Sequence, residues 1–223
     1  MPLVDKRNSY KPLLVSLVAL FLLGPLFGSL PLLKHALAVL FMVMLCAAFY
    51  AVSSDNKYHK LATIFVGGAV ITEIARLFVD YPAVRYLNSA FELPFLVFVT
   101  WIMFSRMIKE QEVSADTIFG SVCVYFMIGL CWGLLYAVVE LVNPGSFAGS
   151  QESFNESSQL SNFLYFSLVT MTTLGYGDIV PIDRFAQSLA TMQAIFGQMY
   201  IAILVARLVA IQITDSLSGK TKS

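Results

Sequence analysis

Apolar residues dominate this chain in long uninterrupted runs, and its polar residues fall in short clusters between them. The runs cover approximately 12–33, 36–52, 60–80, 83–105, 116–142 and 185–213. About 20 helical residues cross the hydrocarbon core of a bilayer, so each run predicts a transmembrane helix. The second run is on the short side, and Gly24-Pro25 predicts a kink or a thinning of the first. A seventh apolar piece, Phe163 to Met171, is too short to cross. Ser158 or Ser161 is placed to cap its start, and threonines end it. It reads as a re-entrant helix, which requires protein or water around the non-helical backbone that follows.

Charge orients these helices. Lys6, Arg7 and Lys11 precede the first run, Lys57 and Lys60 separate the second from the third, and Arg106 and Lys109 separate the fourth from the fifth. Lys220 and Lys222 follow the last run, whereas the other side has only Lys34, Arg85 and Arg184. The excess of positive charge marks the cytoplasmic side, so both termini are expected there. The chain is 58% hydrophobic and 13% charged with zero formal net charge, which fits a polytopic membrane protein and gives no reason to expect nucleic acid as a partner. Cys46, Cys123 and Cys131 all fall within apolar runs, which argues against a disulfide framework or a metal site. The basic N-terminus before an apolar run resembles a signal peptide, but the run is long and has no small-residue cleavage site before Lys34.

Between the short helix and the last run lies Thr170-Met171-Thr172-Thr173-Leu174-Gly175-Tyr176-Gly177-Asp178. The letters Gly-Tyr-Gly-Asp alone describe a turn. Their approach through Thr-Met-Thr-Thr, after a helix too short to cross and between two long apolar runs, changes that reading. Thr173-Leu174-Gly175-Tyr176-Gly177 resembles the selectivity filter of the potassium-channel family. In that family four such loops replace the hydration shell of the ion with rings of carbonyl oxygen, and this mechanism comes here with the resemblance. The residue types suit it: two glycines one residue apart permit the φ > 0 geometry such a backbone needs, and Thr173 adds a hydroxyl at the inner end. One strand cannot surround an ion, so four copies about an axis are implied. Leu174 stands where the family most often has valine.

The resemblance covers about Asp116 to Asp215 as outer helix, pore helix, filter and inner helix. Asp178 falls at the outer mouth. Family pore helices brace the filter tyrosine with aromatic residues, often tryptophan; Tyr165 and Phe166 hold those places here. Gly197 lies where the family often has an inner-helix hinge, although a small residue for close helix contact explains it equally. Helical spacing from Gly197 puts Gln198, Ile201, Val205 and Val209 near a pore-lining face. Arg207 should face water or snorkel to the cytoplasmic surface, and Ala202, Ala206 and Ala210 form a row suited to tight helix packing.

Six spans with the pore after the fifth resemble the six-transmembrane potassium-channel family in its voltage-gated-like arrangement. Its voltage-gated members carry basic residues at every third position of the fourth span. Here that span has Arg85 at its outer end, Arg106 at its inner end and no base between, so conventional voltage sensing is not expected. Glu73 and Arg76 in the third span and Glu92 in the fourth form an intramembrane ionisable cluster. A structural pair in which Arg76 bridges Glu73 and Glu92 is weighed there against a proton- or ligand-sensing role. His35 and His59 sit at loop edges and read as solvated. Glu140, Glu152, Glu156, Asp178 and Asp183 make the external mouth acidic, which would either concentrate cations or merely keep the loop soluble. Asn155-Glu156-Ser157 matches a glycosylation acceptor on the external side.

The expected fold class is an all-α membrane protein with six transmembrane helices, a re-entrant pore helix and a selectivity filter, assembled as a tetrameric pore. The expected organisation is a cytoplasmic N-terminus over 1–11, a four-helix sensor-like membrane domain over 12–110, a pore domain over 111–214 and a short cytoplasmic tail over 215–223. That tail is too short for a calcium- or nucleotide-binding domain, so such gating would need a separate regulatory subunit. The function this implies is passive potassium conduction in the plasma membrane by a homotetramer embedded in lipid. No cofactor is expected, and K+ at the filter is the one bound metal. A weakly selective cation channel and a non-conducting regulatory subunit are alternatives within reach. An intramembrane aspartyl protease is a remote one, because Gly175 to Asp178 matches its Gly-x-Gly-Asp while no other span holds a central aspartate.

Overall fold

The computed structural model describes residues 10–28, 34–52, 56–78, 81–109, 115–149 and 159–220. Helices α1 (Lys11–Gly28), α2 (Lys34–Val52), α3 (Asn56–Phe78) and α4 (Pro82–Lys109) come first, followed by α5 (Ala115–Val142). A two-residue strand β1 (Phe147–Ala148), the short helix α6 (Gln159–Met171), a second strand β2 (Val180–Pro181) and the long helix α7 (Arg184–Lys220) complete the order. Pro82 opens α4, where its fixed φ suits a first helical residue and its missing N–H costs nothing. Asp183 caps α7, its carboxylate accepting from the N–H groups of Phe185 (2.8 Å) and Ala186 (3.4 Å). Because α6 starts at Gln159, Ser161 lies inside the helix and is not its cap; Ser158 falls outside the described residues. α1 runs helically through Gly24-Pro25 to Gly28.

Among the described residues, three helices are long and apolar enough to cross a membrane: Ala83–Lys109, Asp116–Val142 and Arg184–Ile211. The apolar stretches Lys11–Leu23, Ala38–Tyr50 and Ala62–Ala75 of the first three helices are shorter than that. These apolar helices make the chain a multi-pass membrane protein.

α1 packs on α2, α3 on α4, and α4 on α5, so the first four helices lean on α5 and the helix that follows it through α4 and α1. The main core takes Leu13, Leu17 and Leu20 from α1, and Phe41, Met44, Leu45 and Ala48 from α2. Phe95, Leu96, Val99 and Met103 from α4 meet Cys123, Val124, Met127 and Leu130 from α5. These sets recur at three- and four-residue spacing, one face of each helix. In lipid such faces associate by close packing, because leaving lipid for protein gains little hydrophobic free energy. Burial of α7 is different: its apolar stretch is only 11% buried, against 50% for that of α5.

Candidate functional site

The site is built on the contact between α5 and α6. Gly129 and Gly133, one turn apart on α5, let α6 approach so closely that a Cβ on Gly133 would sit 2.7 Å from Leu164 Cδ2 and 3.1 Å from Leu164 Cα. A Cβ on Gly129 would meet Leu168 Cδ2 at 2.9 Å. At the outer end, Tyr136, Phe147, Phe163 and Phe166 form an edge-to-face aromatic cluster with centroid separations of 4.9–5.6 Å. Phe147 reaches it from β1, which pairs antiparallel with β2 in the register Phe147↔Pro181 and Ala148↔Val180. Phe166, expected to support the filter, instead belongs to this cluster; it is buried and edge-on to Tyr136 and Phe147. A ring at that position of α6 points toward α5, where the cluster offers it matching edges.

Residues 172–178 leave the C-terminus of α6 as an exposed stretch without regular structure beyond a turn and bends. Their φ values alternate in sign: Thr173 (60°), Gly175 (55°) and Gly177 (78°) are positive, and Leu174 and Tyr176 between them are not. A backbone alternating between hands turns successive N–H groups to one side and hence successive carbonyls to the other. Such a row of carbonyls is what a dehydrated cation requires. Thr173 is the one described non-glycine residue with positive φ, a strained conformation for a β-branched residue. The start of the stretch is pinned to the helix, with the Val169 carbonyl accepting from the N–H of Leu174 (2.9 Å) and of Gly175 (3.3 Å).

Its C-terminal end is held by Tyr165, whose hydroxyl donates to Asp178 Oδ2 at 2.7 Å. Asp178 also accepts from the N–H of Ile179 at 3.0 Å. Tyr165, expected to support the filter, is thus tethered to Asp178. On the inner side the hydroxyl of Tyr125 donates to the carbonyl of Met171, the last residue of α6, at 3.3 Å. Gly197 abuts the same atom, since a Cβ there would lie 2.5 Å from Met171 O and 2.6 Å from Met171 Cγ. Gly197 is therefore a close-contact position between α7 and the end of α6.

Three residues missed in the sequence join the helices around this frame. Tyr136 donates to Gln193 Oε1 (2.6 Å), Gln193 donates to Ser167 O (3.0 Å) and Oγ (2.6 Å), and Ser167 donates to Gly129 O (2.6 Å). A polar residue deep in an apolar run was the available signal for Gln193. The buried stripe of α7 is Ala186, Gln193, Gly197 and Tyr200. Gln198, Ile201, Val205 and Val209 are all exposed on its flank, and Ala202, Ala206 and Ala210 are exposed too.

In the four-helix unit, Glu73 and Glu92 are buried and come together through a residue the sequence reading did not single out. Asn88 donates from Nδ2 to Glu73 Oε2 (3.0 Å) and to Glu92 Oε1 (2.8 Å), and its Oδ1 accepts from the Thr72 hydroxyl (2.7 Å). The side chain of Arg76, expected to form that bridge, lies outside the described residues, as do those of His35 and His59.

The acidic mouth is also reorganised. Glu140 accepts from the N–H groups of Gly145 (2.8 Å) and Phe147 (3.2 Å), bracing a turn in which Gly145 has φ 88°. With Asp183 capping α7 and Asp178 tethered, these three carboxylates hold backbone or side-chain donors and are not simply loose surface charge. Glu152, Asn155 and Glu156 lie outside the described residues.

Residues 122–213, which run from α5 through α6 and the 172–183 connection into α7, match the family model described as "Ion channel". The chain is 27% identical over 124 residues to the inward rectifier potassium channel Kirbac3.1 of Paramagnetospirillum magnetotacticum, covering 56% of this chain and 34% of that protein. It is 28% identical over 102 residues to the two pore potassium channel a of Oryza sativa subsp. japonica, covering 46% and 26%. It is 33% identical over 81 residues to the potassium voltage-gated channel protein shk-1 of Caenorhabditis elegans, covering 36% and 15%. These matches support a potassium channel. The chain spans about a third or less of the length of these relatives. The matches are to channels and none is to an enzyme, which weighs against the protease reading of Gly175 to Asp178.

Proposed function

We propose that the chain is one subunit of a homotetrameric, potassium-selective channel of the plasma membrane, with six spans, both termini in the cytoplasm and no conventional voltage sensor. The observation that carries this is the alternation of φ sign over residues 173–177, directly after a helix too short to cross. Thr173, Leu174, Gly175, Tyr176 and Gly177 would present the carbonyl rings, with Asp178 at the outer mouth. The last turn of α6 directs its carbonyl ends, and the negative end of its dipole, toward the cavity beneath, which favours a cation there.

The tetramer is supported by what one chain leaves uncovered. Leu174 (54%), Tyr176 (66%), Phe196 (53%) and Val205 (54%) are all more than half exposed, and α7 is scarcely buried. Four chains about one axis would cover the filter residues and give Gln198, Ile201, Val205 and Val209 a common inner face. The test is ion flux from purified protein in liposomes under a potassium–sodium gradient, with mass measured in detergent. Potassium-selective flux from a tetramer is expected. Equal potassium and sodium flux, or a conducting dimer, would overturn the proposal.

A further inference from the structure

The filter is held from below by Tyr125 and Gly197 and from outside by Tyr165, but the helix that carries it has a further attachment. We propose that Gln193 is a positioning residue for selective conduction: clamped by Tyr136, it fixes α6 through Ser167 and so sets the filter geometry. This rests on the reading of residues 173–177 as a potassium filter.

Tyr136, Ser167 and Gln193 are each fully buried. Their hydrogen bonds run in one direction, from the Tyr136 hydroxyl to Gln193 Oε1, from Gln193 Nε2 to Ser167 Oγ, and from the Ser167 hydroxyl to Gly129 O. The second N–H of Gln193 goes to the Ser167 carbonyl. The amide can sit only this way round, because turned over its oxygen would face that carbonyl, acceptor against acceptor. Four bonds of 2.6–3.0 Å thus join α5, α6 and α7 through three buried side chains, where the low local dielectric strengthens each bond.

The point of attachment explains why this is more than a link between helices. Ser167 lies two residues before Val169, whose carbonyl holds Leu174 and Gly175. A shift of α6 at Ser167 is therefore passed within one helical turn to the first filter residues. A neutral buried glutamine does this without placing a charge beside the ion path.

The test separates positioning from mere stability by its readout. Bi-ionic reversal potentials, potassium against sodium, are measured for the parent, Gln193→Leu, Ser167→Ala and Tyr136→Phe in the same bilayer. A role confined to stability lowers the number of channels and the current, and leaves the reversal potential where it was. Positioning raises relative sodium permeability, by about tenfold for Gln193→Leu and Ser167→Ala if a buried partner is left unsatisfied. The double variant is then expected to be no worse than the poorer single, since both break one network. Tyr136→Phe keeps its ring in the aromatic cluster and folds, and a shift of a few-fold is expected from its lost hydroxyl. Parental reversal potentials in the variants that assemble, Tyr136→Phe included, would overturn the inference. A parent that does not prefer potassium would instead overturn the conduction reading, and this inference with it.

Discussion

Replacing Gly197 by alanine tests whether this glycine is a hinge or a contact. The added Cβ would lie 2.5 Å from Met171 O, 2.6 Å from Met171 Cγ and 3.2 Å from Met171 C. The Met171 side chain can turn aside, but its carbonyl is backbone at the end of α6 and already accepts from Tyr125. A carbon–oxygen contact needs about 3.3 Å or more, so α7 and α6 must separate by roughly 0.8 Å there. Overpacking of this kind costs about 1–3 kcal/mol, against which the better helix propensity of alanine returns at most about 1 kcal/mol. The net expectation is a loss of about 1–2 kcal/mol per subunit, with sodium permeability raised because the end of α6 moves. The assays are thermal unfolding in detergent and the bi-ionic reversal potential. Gly67→Ala is the control, since nothing lies within 4 Å of its added Cβ, and it should be at least as stable as the parent. A Gly197→Ala protein of undiminished stability and selectivity, changed only in open probability, would refute the contact and favour the hinge.

Alanine at Gly175 or Gly177 meets open space but must adopt φ of +55° or +78°, at about 1–2 kcal/mol each, so potassium-over-sodium selectivity should be lost; selective flux from either variant would sink the filter assignment. Asn88→Leu removes the donors shared by Glu73 and Glu92 and should lower stability by about 2–4 kcal/mol in thermal unfolding, with Asn88→Asp worse because it adds a carboxylate; a Leu variant as stable as the parent would contradict the bridge. Open probability should vary little with voltage in symmetric potassium, because Arg85 and Arg106 are about 31 Å apart at 1.5 Å per residue and a small shift carries neither far through the field. A steep sigmoid that flattens on neutralising either arginine would overturn that expectation.

What the sequence made legible was whatever depends on local pattern. The order and rough limits of the helices follow from the length of apolar runs, and the positive φ of Gly175 and Gly177 from two glycines one residue apart. The Tyr165 support was also visible, as a hydroxyl one face of a helix away from the motif. What stayed hidden depends on partners distant in the chain. Tyr136 and Gln193 are 57 residues apart and Ser167 and Gln193 are 26 apart, so nothing local announces their network. Counting along α7 from Gly197 singled out Gln198, while Gln193, four residues the other way and on the buried stripe, went unremarked. Glu140 was hidden for a related reason: its charge suggested either a cation-concentrating mouth or a soluble loop, and the two N–H groups its oxygens satisfy lie in a turn five and seven residues on. Phe166 was assigned by family position, and the aromatic cluster on the α5 side claimed it.

α4 has no basic residue between Arg85 and Arg106, yet the path from it to the end of α6 is short. α4 meets α7 at Tyr200, whose hydroxyl donates to Ser121 O at 2.7 Å and approaches Met107 Sδ at 3.7 Å. The Tyr200 ring packs on Phe104 of α4 at 6.2 Å and on Tyr125 of α5 at 5.7 Å. Tyr125 in turn holds the Met171 carbonyl, the atom against which Gly197 closes. Two aromatic contacts and one hydrogen bond therefore separate the C-terminal end of α4 from Met171, the last residue of α6. Close-packed groups of this kind pass a displacement on because they have no slack to absorb it. The arrangement thus ties α4 to the end of α6 through packed side chains, without any charged group in the path.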